Sequence, residues 1–201
     1  MDEGSRGGKV VWMEELGAAG LTRSCWVEPG AFAHLDMDSW WNLIAHSSQG
    51  WRHNDIRIFG TWYKEPRWTA WWGPSYRYAN VQWPAQPLEG PIQELCDLVS
   101  IRAGLSFNAV LVNGYRNGQD SMGWHRDNER EMDTSCIASL SLGASRTFKV
   151  RDRRNRNVID IPLGHGDLLV MEHLQDDHEH SLPKRVGVKD RRLNFTFRRL
   201  V

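Results

Sequence analysis

The sequence predicts an α+β fold in which helices precede a β core, and three observations support this prediction. Apolar residues recur at helical spacing in residues 36–45 and again between Pro91 and Gly104. From Phe107 onward the chain consists of short runs of β-forming residues, separated by turns such as RNGQD and GHGD. Short strands that alternate with turns are typical of a sandwich or jelly roll, and not of a parallel βαβ sheet. The predicted strands are FNAVLVNGY, CIASLSLG, RTFKVRD, NVIDIPL, GDLLVME and RLNFTFRRL.

The first predicted helix runs from Asp36 to Ala45 and begins at a residue type that favours helix N-termini. The second begins near Pro91 and ends at Gly104, in agreement with the preferences of these residues for the two ends of a helix. Its predicted apolar face consists of Ile92, Leu95, Leu98 and Val99. Residues 1–24 are rich in glycine and charge, so we expect a partly ordered lead-in there.

Composition excludes several classes of protein. With 201 residues, 40% of them hydrophobic and 25% charged, the chain can bury a core and is not wholly disordered. Its 25 basic and 25 acidic residues cancel, so no overall positive field indicates a nucleic-acid partner. Three widely spaced cysteines exclude a disulfide framework and favour an intracellular setting, the cytoplasm in a bacterium or the nucleus in a eukaryote. No signal-like N-terminus or 18-residue apolar run is present, so we expect no membrane contact.

The stretch GWHRDNERE places His125 and Asp127 two residues apart. On an extended segment both side chains point to the same face, because side chains alternate along a strand. An imidazole and a carboxylate suit a first-row divalent metal, and a distant second histidine would complete the two-His, one-carboxylate triad of non-haem Fe(II) oxygenases. The alternative is a charged surface turn that binds no metal.

Three histidines downstream, His173, His178 and His180, compete for the place of the third ligand. We favour His180, because HSLP follows a strand-like run and precedes the last, basic strand. His173 and His178 lie in the acidic segment EHLQDDHEH, where we expect them to be solvated. His165 lies in GHGD and is interpreted as a turn residue.

The last strand, RRLNFTFRRL, carries a second signal. One face presents Arg192, Asn194, Thr196 and Arg198, and the other presents Leu193, Phe195 and Phe197. Arginines that point inward from a buried strand are costly unless they meet a buried anion, and a guanidinium binds a carboxylate with two hydrogen bonds. We infer a small dicarboxylate beside the metal. Pairing with carboxylates of the protein, or a strand that faces solvent, are the alternatives.

These motifs resemble those of the AlkB family of Fe(II)- and 2-oxoglutarate-dependent nucleic-acid dealkylases, most closely the branch that acts on duplex DNA. The resemblance rests on NGY (113–115), HRD (125–127), HSLP (180–183) and RLNFTFR (192–198), and is dense from about Phe107 to Arg199. It implies a double-stranded β-helix, a form of jelly roll, for the core. The implied Fe(II) ligands are His125, Asp127 and His180, and the implied 2-oxoglutarate contacts are Asn113, Tyr115, Arg192, Asn194 and Arg198.

The resemblance also implies an activity. The family uses O2 and 2-oxoglutarate to hydroxylate the methyl group of 1-methyladenine or 3-methylcytosine, and releases formaldehyde, succinate and CO2. The expected partner is alkylated DNA, both duplex and single-stranded, with RNA as a further or alternative substrate. By resemblance the chain has an N-terminal extension (1–50), a nucleotide-recognition lid (51–88) and a dioxygenase core (89–201). We expect these parts to form one domain and the protein to be a monomer.

Several residues match positions that face the nucleic acid in the family. Glu129 corresponds to an acid beside the exocyclic amine of the flipped base, where it favours cationic methylated bases; a solvated acid is the alternative. Tyr76 and Tyr78 correspond to lid aromatics that stack on that base. Phe59 corresponds to a finger that wedges into the base stack, or else is a buried strand residue. Arg67 corresponds to a basic lid position that contacts a phosphate.

Residues 146–157, RTFKVRDRRNRN, predict a β-hairpin with a basic tip. Six basic side chains against one aspartate give this segment a charge of six minus one, or +5. Such a tip suits the phosphates of nucleic acid, with Arg151, Arg153 and Arg154 as the candidate contacts. A solvated charged face is the alternative.

Two other functions remain open. A jelly-roll protein without catalysis could bind nucleic acid, but the complete ligand set of His125, Asp127 and His180 argues against it. An oxygenase of the same class could act on a protein or a small molecule, and the core motifs alone do not exclude this. The basic hairpin and the lid aromatics favour nucleic acid.

Overall fold

Two antiparallel β-sheets face each other in the core of the protein. The computed structural model describes residues 8–16, 21–48, 50–58, 60–78 and 81–201. The helices are α1 (Met37–Ala45) and α2 (Gly90–Ala103). The strands are β1 (Val10–Leu16), β2 (Thr22–Glu28), β3 (Asp55–Ile58), β4 (Thr61–Lys64), β5 (Trp68–Trp72), β6 (Tyr76–Tyr78), β7 (Val81–Trp83), β8 (Ala109–Tyr115), β9 (Met122–His125), β10 (Met132–Gly143), β11 (Arg146–Asp152), β12 (Val158–Leu163), β13 (Leu168–Glu172), β14 (His178–Leu182) and β15 (Arg192–Leu200).

The larger sheet has seven strands in the order β1-β2-β13-β10-β15-β8-β5, and the smaller sheet has four in the order β12-β11-β14-β9. One apolar cluster is shared by both sheets. It includes Leu111, Ile137 and Met171 from the larger sheet and Phe148 and Ile161 from the smaller one. The predicted jelly-roll core is therefore confirmed.

The opposite face of the larger sheet lies under the two helices. Leu193, Phe195 and Phe197 of β15 belong to a second apolar cluster, together with Ile44 of α1 and Val99 of α2. The alternate residues of β15 line the cavity between the sheets: Arg192, Asn194, Thr196 and Arg198. The predicted alternation of this strand is confirmed, and its charged face points inward.

Both helices begin and end close to the predicted residues. Asp36 is the N-cap of α1, and its side chain accepts a hydrogen bond from the backbone N of Ser39 at 2.7 Å. Gly104 ends α2 in the left-handed conformation, with φ 73°. The predicted apolar face of α2 is wrong at Leu98, which is 50% exposed, because Cys96 takes its place in the core. Neither described helix is long and apolar enough to cross a membrane.

The described part of the N-terminal segment consists of strands. β1 pairs with β2, and β2 extends the larger sheet through its pairing with β13, where Cys25 lies opposite Met171. The buried side chain of Arg23 forms ion pairs with Glu15 and Asp177. Within the segment that we expected to be partly ordered, residues 10–16 and 22–24 therefore form strands. Sheet pairing with a strand about 150 residues away orders a segment whose own composition does not.

The predicted lid contributes to both the surface and the larger sheet. β3 and β4 form one two-stranded hairpin, and β6 and β7 form another. β5 joins the larger sheet beside β8. All four residues of β4 are exposed, and the large rings of Trp62 and Tyr63 are 65% and 51% exposed. The β3–β4 hairpin therefore presents aromatic surface to solvent.

The turn between β12 and β13 places Gly166 where a side chain does not fit. Its φ is 81°, and an added Cβ would lie 2.4 Å from the backbone N of Ala33. We expect Gly166→Ala to lower the free energy of unfolding in urea by about 1–3 kcal/mol. Nothing lies within 4 Å of a Cβ added at Gly187, so the control Gly187→Ala should change that free energy by less than about 0.5 kcal/mol. Equal effects of the two substitutions would contradict this account.

Candidate metal centre

Two neighbouring strands of the smaller sheet bring the three predicted metal ligands together. His125 ends β9 and pairs directly with His180 on β14, and Asp127 follows in the next loop. Nε2 of His125 lies 3.9 Å from Oδ1 of Asp127, and Nε2 of His180 lies 4.0 Å from Oδ2. Ligand atoms of the three residues all lie within 4.8 Å of one another. Atoms bound to one ion through bonds of about 2.1 Å lie roughly 3–4 Å apart, so small side-chain shifts allow all three to bind it.

The protonation of the two histidines favours metal binding. Nδ1 of His125 lies 2.9 Å from the carbonyl oxygen of Gly123. This carbonyl accepts the ring N–H, so Nε2 keeps the lone pair that a metal needs. Burial, together with the charge of His125, lowers the pKa of His180 to about 3. Burial also lowers the pKa of His125. Protons therefore do not compete with a metal for His180 at neutral pH.

Asp127 is held in place from two sides. Nη2 of Arg198 donates to its Oδ1 at 2.8 Å, and Oε1 of Gln175 accepts from its backbone N at 3.0 Å. Burial alone would raise the pKa of Asp127, but the charges of Arg198, His180 and His125 outweigh it and lower the pKa to about 2. Asp127 is therefore an oriented carboxylate anion at neutral pH.

Arg192 is a buried cation that pairs with no carboxylate of the described residues. It is 2% exposed, its Nη2 donates to Oγ of Ser141 at 2.8 Å, and its guanidinium lies 5.4 Å from the ring centre of Tyr115. Its Nε has no hydrogen-bond partner in the part of the chain that the structure describes. Burial lowers the pKa of Arg192 to about 10, which leaves it charged at neutral pH. A buried, uncompensated cation is costly, so this geometry favours an anion here.

One cavity connects the metal triad to Arg192. It contains about 440 Å³ of empty space, part of which is open to solvent. Its lining includes His125, Asp127, His180, Asn113, Tyr115, Arg192, Asn194 and Arg198. Apolar side chains complete the wall: Met122, Phe148, Met171 and Leu182. All residues that the sequence assigns to iron and to 2-oxoglutarate therefore border the same space.

Comparisons with known proteins agree with this geometry. A family model described as the 2OG-Fe(II) oxygenase superfamily matches residues 32–198. The chain is 38% identical over 159 residues to the DNA oxidative demethylase ALKBH2 of Bos taurus, a match that covers 73% of this chain and 57% of that protein. It is 38% identical over 201 residues to the alpha-ketoglutarate-dependent dioxygenase alkB homolog 3 of Homo sapiens, covering 94% of this chain and 70% of that protein. The chain therefore belongs to the 2OG-Fe(II) oxygenase superfamily and, within it, to the AlkB family.

A solved structure supports the fold. The structure of OsALKBH1 matches with a TM-score of 0.55 at 16% sequence identity, and covers 89% of this chain and 98% of that one. The chain spans 57% of the length of bovine ALKBH2.

The groups that the family name implies fit the residues of the cavity. Two neutral imidazoles and one carboxylate are a donor set that suits Fe(II). The unpartnered Nε of Arg192 suits a carboxylate of 2-oxoglutarate. The fit of the co-substrate rests on this buried nitrogen, which has no hydrogen-bond partner among the described residues.

The segment that follows β9 departs from the predicted strand. β9 ends two residues before Asp127, so Asp127 and Glu129 lie in a loop and not on one extended strand. Glu129 is half-buried there. Tyr76 and Tyr78 lie on β6, but their side chains fall outside the described part of the chain, as does the whole of Phe59.

Arg67 lies inside the protein, which corrects its interpretation as a phosphate contact. It is 5% exposed. Its Nη2 forms an ion pair with Oε1 of Glu65 at 2.9 Å, and its Nε donates to Oδ1 of Asn113 at 2.9 Å. The signal was present in EPR (65–67), since residues two apart on an extended segment share a face.

The predicted basic hairpin forms, but acidic groups compensate much of its charge. β11 pairs with β12. Arg151 forms an ion pair with Glu179 at 2.5 Å, and Arg154 forms one with Asp152 at 3.2 Å. Arg153 is exposed and donates to a backbone carbonyl. The charge of +5 counted along the segment is therefore not the charge that a ligand meets, because Glu179 comes from another strand.

The sequence did not identify some residues that support the site. Gln175, which is 2% exposed, orients the backbone of the aspartate ligand, and Ser141 contacts the buried arginine. Neither carried a visible signal, because each acts through a partner that is distant in sequence. The expectation that His178 is solvated is wrong, since it is 5% exposed within β14. His173, from the same acidic segment, is half-buried.

The triad predicts a metal-binding test that needs no substrate. We expect the wild-type protein to bind one Co(II) ion, detected by the visible absorption of the bound ion. His180→Ala should lose this binding, because only two of the three ligands, His125 and Asp127, would remain. His34→Ala is the matched control, since His34 is exposed and lies outside the triad. Retention of full Co(II) affinity in His180→Ala would exclude the triad as the metal site.

Proposed function

We propose that this chain is an Fe(II)- and 2-oxoglutarate-dependent oxygenase that removes methyl groups from alkylated bases, with duplex DNA among its substrates. The observation that carries the proposal is the presence of a His–Asp–His triad and the buried cation Arg192 around one cavity. The bovine relative is a DNA oxidative demethylase, and this supports DNA as the substrate.

In this proposal each polar group of the cavity has a task. His125, Asp127 and His180 would hold Fe(II). Arg192 would meet a carboxylate of 2-oxoglutarate, with Asn113, Tyr115 and Asn194 as the neighbouring contacts that line the same space. Arg198 forms an ion pair with Asp127, so it would neutralise and orient this ligand. If Arg198 also contacts 2-oxoglutarate, the same guanidinium would serve both carboxylates.

Fe(II), 2-oxoglutarate and O2 would together supply oxidative hydroxylation: one oxygen atom would enter the N-methyl group, the other would enter succinate, and CO2 would leave. The C–N bond of the hydroxymethyl group would then break with loss of the hydroxyl proton, releasing formaldehyde and the unmodified base. The residues of this chain bind and orient the reactants and keep water away, with Met122, Phe148 and Leu182 as the apolar part of the wall. Glu129 would place a carboxylate at the mouth, where it favours the cationic bases 1-methyladenine and 3-methylcytosine.

Exposed aromatic side chains, one of them next to His125 in the sequence, support nucleic acid as the partner. Trp62 and Tyr63 are exposed on the β3–β4 hairpin, and Trp124 is 36% exposed beside the triad. The guanidinium of Arg151 lies 3.9 Å from the ring centre of Trp124. Exposed rings of this kind stack on bases, and arginines next to them contact phosphates. Under this proposal Phe59, Tyr76 and Tyr78 would also contact the nucleic acid.

One chain contains every residue proposed for iron and 2-oxoglutarate, and this supports a monomer as the active unit. The three cysteines are buried thiols, which supports a reducing intracellular setting. We propose the cytoplasm of a bacterium or the nucleus of a eukaryote accordingly.

The test supplies Fe(II), 2-oxoglutarate and oligonucleotides that carry 1-methyladenine or 3-methylcytosine, as single-stranded DNA, duplex DNA and RNA. We expect mass spectrometry to show restored bases in both DNA forms, with one formaldehyde and one succinate released for each base. His125→Ala should abolish turnover without unfolding the protein. Turnover of RNA alone would replace DNA by RNA as the substrate, and consumption of 2-oxoglutarate without any base repair would favour a protein or small-molecule substrate.

A second variant tests duplex recognition. If Phe59 wedges into the base stack, Phe59→Ala should lower repair of duplex DNA by about tenfold or more and spare single strands, because extrusion of a base from a duplex costs a few kcal/mol. Leu98→Ala is the matched control, since Leu98 is 50% exposed on a helix outside the lid. Equal losses on duplex and single strands would remove the wedge from the proposal.

A further inference from the structure

A buried series of polar contacts connects the lid to the cavity. Glu65 and Arg67 lie between β4 and β5, and they are 4% and 5% exposed. Their charged groups are 2.9 Å apart. From this ion pair, Nε of Arg67 reaches Oδ1 of Asn113 on β8 at 2.9 Å. Asn113 is itself 3% exposed and borders the cavity.

The glutamate is fixed on the side of the lid. Its Oε2 accepts a hydrogen bond from Nδ2 of Asn54 at 3.0 Å, and its backbone N donates to the carbonyl of Asn54 at 2.9 Å. Nε2 of His53 lies 2.7 Å from the carbonyl oxygen of Glu65. Two buried charges of opposite sign hold each other strongly, since removal of one leaves the other uncompensated. Arg67 is therefore confined to one position at the base of the β3–β4 hairpin.

The arginine determines which way the amide of Asn113 points. A guanidinium offers only donors, so the atom of Asn113 that faces Nε must be the carbonyl oxygen. The amide nitrogen then points away from Arg67, and it takes part in none of the hydrogen bonds between the described residues. An N–H2 group stabilises a carboxylate, whereas a flipped amide would present an oxygen and repel it.

We propose that Arg67 is a positioning residue for 2-oxoglutarate: it fixes Asn113 with its amide N–H2 toward the co-substrate, and Glu65 keeps Arg67 in place. The inference rests on the co-substrate site proposed above and extends it by two residues of the lid.

The experiment measures 2-oxoglutarate affinity and not turnover. Without O2, Fe(II)-loaded protein is titrated with 2-oxoglutarate, and the visible absorption of the bound complex gives the Kd. Arg67→Met should raise this Kd by about tenfold or more, the value of one hydrogen bond to a charged group. The Kd for the metal and the KM for the oligonucleotide should stay unchanged. Arg102→Met is the matched control, because it removes an arginine paired with Glu28 outside the cavity.

Two further variants separate positioning from a purely structural role. The double variant Glu65→Gln, Arg67→Met removes both buried charges, so the test stays valid if Arg67→Met alone does not fold. It should raise the Kd for 2-oxoglutarate as much as Arg67→Met does. In an Asn113→Ala background, Arg67→Met should cause no further loss, since it acts through that amide.

Three results would overturn the inference. An unchanged Kd in folded Arg67→Met, or in the folded double variant, would show that Asn113 needs no such support. An equal loss with and without Asn113 would show that Arg67 acts by another route. Failure of the wild-type protein to bind 2-oxoglutarate would overturn the co-substrate site itself, and this inference with it.

Discussion

The buried ion pair between Arg198 and Asp127 is the interaction on which the site depends. Asp127 lies in a loop, and Arg198 lies on β15 in the larger sheet. Their 2.8 Å contact spans the space between the sheets, and both side chains are at most 2% exposed. Loss of one partner from such a pair costs about 3–5 kcal/mol. The assembly of the metal ligands is therefore coupled to the packing of the two sheets.

The two inward arginines of β15 differ in what the protein provides for them. Arg198 has a carboxylate of the protein, whereas Arg192 has the hydroxyl of Ser141 and the ring of Tyr115. A hydroxyl and a ring solvate a guanidinium partly but do not neutralise it. The charge of Arg198 is thus neutralised by Asp127, whereas the charge of Arg192 is not neutralised by any described residue. This asymmetry gives the cavity a polarity that suits a small anion beside Arg192.

Local patterns in the sequence were sufficient to predict much of the fold and the three residues that lie together in the triad. Asp36 and Gly104 mark helix ends through short-range chemistry, and the alternation of β15 separates its charged and apolar faces within nine residues. β14 was harder to recognise as a strand, because HEHSL turns His180 inward to the metal site and so lacks an apolar face there. Whether this segment forms a strand depends on the residues that pack against it, and not on its own composition.

Contacts between residues distant in sequence account for several of the remaining errors. β1 and β2 are ordered by β13, and the guanidinium of Arg67 is drawn inward by Asn113, 46 residues away. Leu98 is exposed because α2 buries the side of the helix that carries Cys96. A single sequence shows which residues can form such contacts, but the partner that each one selects depends on the assembled fold.

The compensated charges of the β11–β12 hairpin bear on how nucleic acid would bind. Glu179 pairs with both Arg151 and Arg156, and Asp160 pairs with Lys149. A phosphate that contacts these side chains must exchange with a carboxylate of the protein. Salt screens the attraction of a basic side chain to the phosphate and to the competing carboxylate alike. Binding therefore releases fewer cations from the nucleic acid than it would if the basic side chains had no acidic partners. The affinity should therefore fall less steeply with ionic strength than the number of basic residues implies. Such a surface attracts polyanions only weakly in general. It favours a nucleic acid whose phosphates are placed so that they can replace the carboxylates.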